Sequence, residues 1–174
     1  IKRANVYIDS WIEAFGAFNG FAWRAEPTAS RIWNWMRCSE HIFAGDSPAA
    51  RMECLIRQLR FLSESLDHTT DPKTRWIGSC VMVARSVCLD GAQHLDDALA
   101  RLDGECTAQI LPDGGHVSRS PSRLLSALLN LLTLRDVLQQ AGHNVPDYFG
   151  KWIPRMGAML AFFQTEDGAL NPFN

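Results

Sequence analysis

The chain has 174 residues, 47% of them hydrophobic, with 17 Lys+Arg against 19 Asp+Glu, enough length and apolar content to bury one core. A net charge of −2 and a pI near 6.2 exclude the basic footprint that grips phosphate backbones, so no nucleic-acid partner is expected. No window approaches about 18 consecutive apolar residues, so no transmembrane segment is expected. The absent initiator Met and the Pro172-Phe173-Asn174 ending read as a single helical domain, 1–174, cut from a longer chain.

Apolar residues recur at spacings of three and four almost throughout, which predicts an all-α fold of about seven helices. The first spans about Asn5 to Phe15, with Ile8, Trp11, Ile12 and Phe15 in one stripe and Gly16 as a left-handed cap. A glycine-aromatic loop, Phe18-Asn19-Gly20-Phe21-Ala22-Trp23, leads to a short helix at about Thr28 to Arg37. Ser47-Pro48 supplies an N-cap and a first-turn proline for a helix from Pro48 to Leu66. Its stripe is Met52, Leu55, Ile56, Leu59, Leu62 and Leu66, while Arg51, Arg57, Arg60 and Glu64 occupy other faces.

Asp71-Pro72 opens a fourth helix to about Leu89, with Ile77, Cys80, Val81, Ala84 and Cys88 on one side and Gly91 closing it. A fifth begins near Gln93 and sets Leu95, Ala98, Leu99, Leu102, Cys106 and Ile110 against a solvated face of Asp96, Asp97, Arg101 and Asp103. A sixth, from Pro121 to about Ala141, is apolar around most of its circumference and stops at Gly142. The seventh runs from about Pro146 to Gln164, and Pro154 either kinks it or marks its true first turn. Short linkers favour antiparallel neighbours, hence an incomplete α/α toroid of stacked helix pairs, with an irregular helical bundle as the alternative. No repeat of fixed period is present.

Five cysteines, Cys38, Cys54, Cys80, Cys88 and Cys106, include no C-x-x-C pair and no His at ligand spacing. They read as small buried hydrophobes, hint at a reducing compartment and imply no metal; no cofactor is expected.

Two stretches stand out from the helical pattern. Leu111-Pro112-Asp113-Gly114-Gly115-His116-Val117-Ser118-Arg119-Ser120-Pro121 feeds a helix N-terminus, where His116, Arg119 and Arg123 are spaced to converge on an anion such as a sugar carboxylate or sulfate. The competing reading is that His116 and Arg119 only brace the loop. The other stretch, Phe21, Trp23, Arg24, Arg31, Trp33 and Trp35, mixes rings and cations suited to sugar faces and acid groups, with core packing as the competing use of its tryptophans. No G-x-S-x-G elbow, phosphate-binding glycine loop or H-E-x-x-H is present, and Asp96-Asp97 lies on a wet face with nothing to raise a pKa.

Four blocks, in order, resemble heparinase II/III-like proteins of bacteria: Gly20-Phe21-Ala22-Trp23-Arg24; Ser30-Arg31-Ile32 with Trp35; Gln109 to Pro121; and Met159-Leu160 with Phe162-Phe163, Asp167-Gly168-Ala169-Leu170 and Phe173-Asn174. The resemblance implies the N-terminal toroid of a longer chain that ends in a β-sandwich, in the periplasm or cell envelope. It also implies a polysaccharide lyase that cleaves glycosaminoglycan-like uronic-acid polymers by β-elimination. Such lyases use a toroid Asn or His and a toroid Tyr. Here the tyrosine position holds Arg123, and the Asn-His position reads Lys73-Thr74-Arg75-Trp76-Ile77. Arginine can bind a carboxylate but is a poor base, since its pKa lies above about 12. The resemblance therefore leaves His116 as the catalytic group, with Arg119, Arg123, Trp23, Arg24 and Arg75 binding an acidic polysaccharide and the segment inactive alone. Two alternatives accompany it: a non-catalytic anionic-glycan-binding domain, and a helical scaffold.

Overall fold

The computed structural model describes residues 2–44 and 47–164. The fold is all-α, as the periodicity predicts, with eight helices among the described residues. They are α1 (Lys2–Phe15), α2 (Ala25–Arg37), α3 (Ser39–Ile42), α4 (Pro48–Leu66), α5 (Pro72–Cys88), α6 (Leu95–Gln109), α7 (Pro121–Gln140) and α8 (Asp147–Phe162). The eighth helix in the count is the single turn α3, too short for its periodicity to register. No helix among the described residues is long and apolar enough to cross a membrane. Asp167-Gly168-Ala169-Leu170 and Phe173-Asn174 lie outside the described residues.

Proline and its neighbours set the helix starts. Pro48, Pro72 and Pro121 each begin a helix, where their missing N–H costs nothing. The caps differ. Asp71 accepts the Thr74 hydroxyl and the Thr74 N–H, the latter at 2.8 Å, and the hydroxyl bond above all holds its carboxyl below the usual carboxylate range; Ser120 accepts from the Arg123 N–H. Ser47, expected to cap α4, makes no cap hydrogen bond. Gly91 and Gly142 take the positive φ expected of helix stops. Gly16 does not; it is required because a Cβ would lie 2.4 Å from the Ile12 carbonyl oxygen. Pro154 sits inside α8, so it is not a first turn, and it removes the N–H that would bond the Gly150 carbonyl.

The chain divides into two compact units, Ile1–Val81 and Met82–Asn174, at a boundary that falls inside α5. In the first unit α2 packs on α4, burying Ile32, Trp33, Trp35, Cys54, Leu55 and Leu62. Leu55, Leu59, Leu62 and Leu66 of the expected α4 stripe are buried, and the inner face extends from them to Arg51, Cys54 and Gln58, whereas Ile56 is exposed. In the second unit α7 packs on α8, with Leu131, Leu134, Leu138, Phe149 and Met156 enclosed, each contributing about 1.5–3 kcal/mol. α7 is less uniformly covered than its composition suggests, since Leu125 and Leu129 remain exposed. Three cysteines, Cys54, Cys80 and Cys106, are the expected buried hydrophobes; Cys38 and Cys88 are exposed, and none of the five is in a disulfide.

Candidate functional site

The loop after α6 is built from its own backbone. An isolated antiparallel bridge joins Ile110 to His116, the Val117 N–H bonds the Gln109 carbonyl at 2.9 Å, and the Leu111 N–H bonds the Gly115 carbonyl at 2.8 Å. Gly114 has φ +85°, and a Cβ there would lie 2.2 Å from the Arg155 carbonyl oxygen, so the loop lies flush against the α8 backbone. Asp113 closes the turn: its carboxylate accepts the Gly115 N–H and an Arg119 Nη1 donor, both at 2.8 Å. Those bonds hold the Asp113 carboxyl below its ordinary value, with the Arg119 bond the larger cause.

His116 is only 7% exposed. Its Nδ1 accepts the Ser118 N–H at 3.0 Å and lies 2.8 Å from the Ser118 hydroxyl. Because the backbone N–H can only donate, Nδ1 carries no proton and the neutral ring is the Nε2–H form. Burial, and then the Arg123 charge, push its pKa below the ordinary 6.5. The lone pair that a general base would need on Nδ1 is already engaged. Arg119, at φ +55°, turns its N–H to the His116 carbonyl and its side chain to Asp113. Arg123 is exposed in the first turn of α7.

The 16–24 loop turns on Asn19, whose Oδ1 accepts the Phe21 and Ala22 N–H groups at 3.0 and 3.1 Å. This delivers Trp23 inward. It is 4% exposed, its indole N–H donates to the Phe15 carbonyl at 2.7 Å, and its ring meets Phe61 and Phe18 edge-on at 5.7 and 6.2 Å. Trp23 therefore closes the first unit's core, the competing use given for these tryptophans. Arg24 is exposed, with its guanidinium 5.7 Å from the Phe21 ring centroid, and Arg75 is exposed in the first turn of α5. Arg31 is a strap: it donates to Gln58, to the Ala22 carbonyl and to the Thr28 hydroxyl, and stacks 4.1 Å from the Trp11 ring centroid. Burial lowers its pKa to about 10.

Trp23, Arg24 and Arg75 belong to the first unit, and His116, Arg119 and Arg123 to the second. None of the six lines either of two surface hollows. One, about 390 Å³, is bounded by Arg135, Val145, Pro146, Phe149, Ile153 and Pro154; the other, about 450 Å³, by Phe61, Glu64, Ser65, His68 and Thr69. Among the described residues no three His, Cys, Asp or Glu side chains are grouped to hold a metal. Arg51, placed by the spacing on another face of its helix, is buried against Asp9, and Glu105 and Gln109, to which the spacing assigns no face, form a buried pair joined at 2.8 Å. Their signal is positional, since Arg51 shares a helical face with Cys54, Leu55, Gln58 and Leu62.

No family model matches the chain, and no solved structure does. A curated protein matches. The chain is 30% identical over 177 residues to FtsZ-localized protein C of Caulobacter vibrioides, an alignment that covers 99% of this chain and 31% of that protein. The chain thus spans about a third of that relative's length. The match overturns the expectation of a lyase acting on uronic-acid polysaccharides, and with it the glycosaminoglycan substrate, because the relative is named for its location with FtsZ and not for cleaving a polymer.

Proposed function

We propose that this chain is a helical interaction module of an FtsZ-localized protein, serving cell division by contact and carrying no chemistry of its own. The observation behind the proposal is the match to FtsZ-localized protein C along 99% of the chain. The loop geometry supports the non-catalytic part: His116 is closed off by Ser118, and Arg119 is committed to Asp113.

The test is a fluorescent fusion of the full-length protein imaged beside FtsZ, together with pelleting of the purified protein with FtsZ polymers. Expected are a band at the FtsZ ring that disperses on FtsZ depletion, and a loss of that band when residues 1–174 are deleted. A fusion that stays diffuse while FtsZ rings are intact, or a deletion that localises like the parent, would overturn the proposal.

A further inference from the structure

Among the described residues, α1 is the one helix with no buried side chain. Ile8, Trp11 and Ile12 are half covered, and Val6, Tyr7 and Phe15 are 63%, 75% and 37% exposed. Apolar burial on that scale holds a helix weakly, because helices in proteins gain most of their stability from a packed face. Polar contacts and one ring add to that hold. Arg51, 2% exposed in the first turns of α4, donates from Nε and Nη2 to the two Asp9 carboxylate oxygens, each at 2.7 Å. Asn5 donates to the His41 and Ala44 carbonyls at 3.1 and 3.3 Å. The Trp11 ring meets the Arg31 guanidinium and stands edge-on to Trp35 at 6.1 Å.

The clamp is asymmetric. Arg51 also donates from Nη1 to the Ile42 and Ala44 carbonyls at 2.7 and 2.9 Å, so its guanidinium stays anchored with or without α1. Asp9, on the α1 side, has a side chain 42% exposed and within reach of water. α1 runs to Phe15 with Gly16 next in the chain, and the Trp23 indole donates to the Phe15 carbonyl, which pins the C-terminal end of α1 beside the pivot and leaves its N-terminal end to swing.

We propose that α1 is a hinged latch: it opens as one piece about Gly16 while α2 and α4 stay folded, and the Asp9–Arg51 pair is its catch. Opening leaves Arg51 on its carbonyl partners and frees Trp11 from Arg31 and Trp35, which lie one turn apart on α2. The latch thereby covers and uncovers an arginine-tryptophan face of the first unit.

Hydrogen exchange of the full-length protein, read by mass spectrometry over residues 4–15 and 51–66, tests this. In the wild type the α1 amides should exchange through an opening that the α4 amides do not share. Asp9→Asn should speed α1 exchange about tenfold, the size expected for a charge-assisted bond discounted for exposure, and leave α4 unchanged. Raising salt from about 0.05 to 0.5 M should move the wild type in the same direction by less. α1 amides as slow as the slowest in α4, or an Asp9→Asn effect equal in both helices, would overturn the latch. Should Asp9→Asn fail to fold, the salt series decides: an increase selective for α1 supports the latch, and its absence overturns it.

Discussion

The loops at 16–24 and 111–120 carry the two densest concentrations of functional-looking residues, and both spend them on themselves by opposite means. The first is closed by area: Trp23 fills a gap among Phe18, Phe61 and the end of α1. The second is closed by direction: Asp113, His116, Ser118 and Arg119 exchange short hydrogen bonds over a glycine pressed on α8. A tryptophan beside an arginine, or a histidine beside glycines, is equally suited to holding a ligand and to holding its own chain. What separates the two uses is whether the groups have partners already. If that contrast is right, the first loop is sensitive to lost volume, and the second to backbone shape and protonation.

The largest effect should come from Trp23→Ala, which leaves a void where a buried ring stood and should cost the first unit about 3–5 kcal/mol. Trp23→Phe keeps most of the volume and loses the bond to the Phe15 carbonyl, so it should cost about 1 kcal/mol. Urea unfolding followed by circular dichroism measures both. Equal losses for the two variants would mean that the hydrogen bond and not the area closes this loop, and the contrast would fail. In the second loop Gly114→Ala comes next. Its φ of +85° and the 2.2 Å approach of the Arg155 carbonyl oxygen leave no room for a methyl, so the loop must lift from α8 at about 2–3 kcal/mol. A variant as stable as the wild type would show that the loop does not bear on α8.

Most of the fold was legible because long helices repeat their pattern. The Pro48–Leu66 helix matches its sequence limits, and the Pro121 helix with its Ser120 cap falls within a residue of its own. In α4 the spacing places Leu55, Leu59, Leu62 and Leu66 correctly, but it puts Arg51 on another face when that arginine is buried beside them. Amphipathic periodicity records polarity but cannot foresee that Asp9, 42 residues away, will neutralise an arginine on the inner face. The six site residues were legible only as unusual composition. Trp23 lies outside any helical stripe, and its burial follows from an Asn19 turn that aims it inward. The pairing of His116 with Ser118 is local enough to be foreseen, since a histidine two residues before a serine in a turn can accept that serine's N–H.

The smallest effect, and the sharpest on the second loop, is its dependence on pH. Nδ1 of His116 accepts two donors from Ser118, so a proton there would oppose the N–H, and burial lowers the pKa below the ordinary 6.5. Unfolded, this histidine takes a proton near 6.5, where the folded chain still excludes it, so the unfolded state binds more protons and stability rises with pH. The contribution is complete above about pH 6.5 and is lost as pH falls from there through the folded value. Asp113, Asp71 and Asp9 are also shifted downward, but from the ordinary 3.8, so their losses fall in a separate, more acid window. Denaturation midpoints of the second unit between pH 8 and 5 should therefore decline, and His116→Asn, whose Oδ1 can take the place of Nδ1 without titrating, should flatten the curve. A curve that stays steep in the His116→Asn variant would assign the decline to another group and would leave the histidine's ring free for a role outside its own loop.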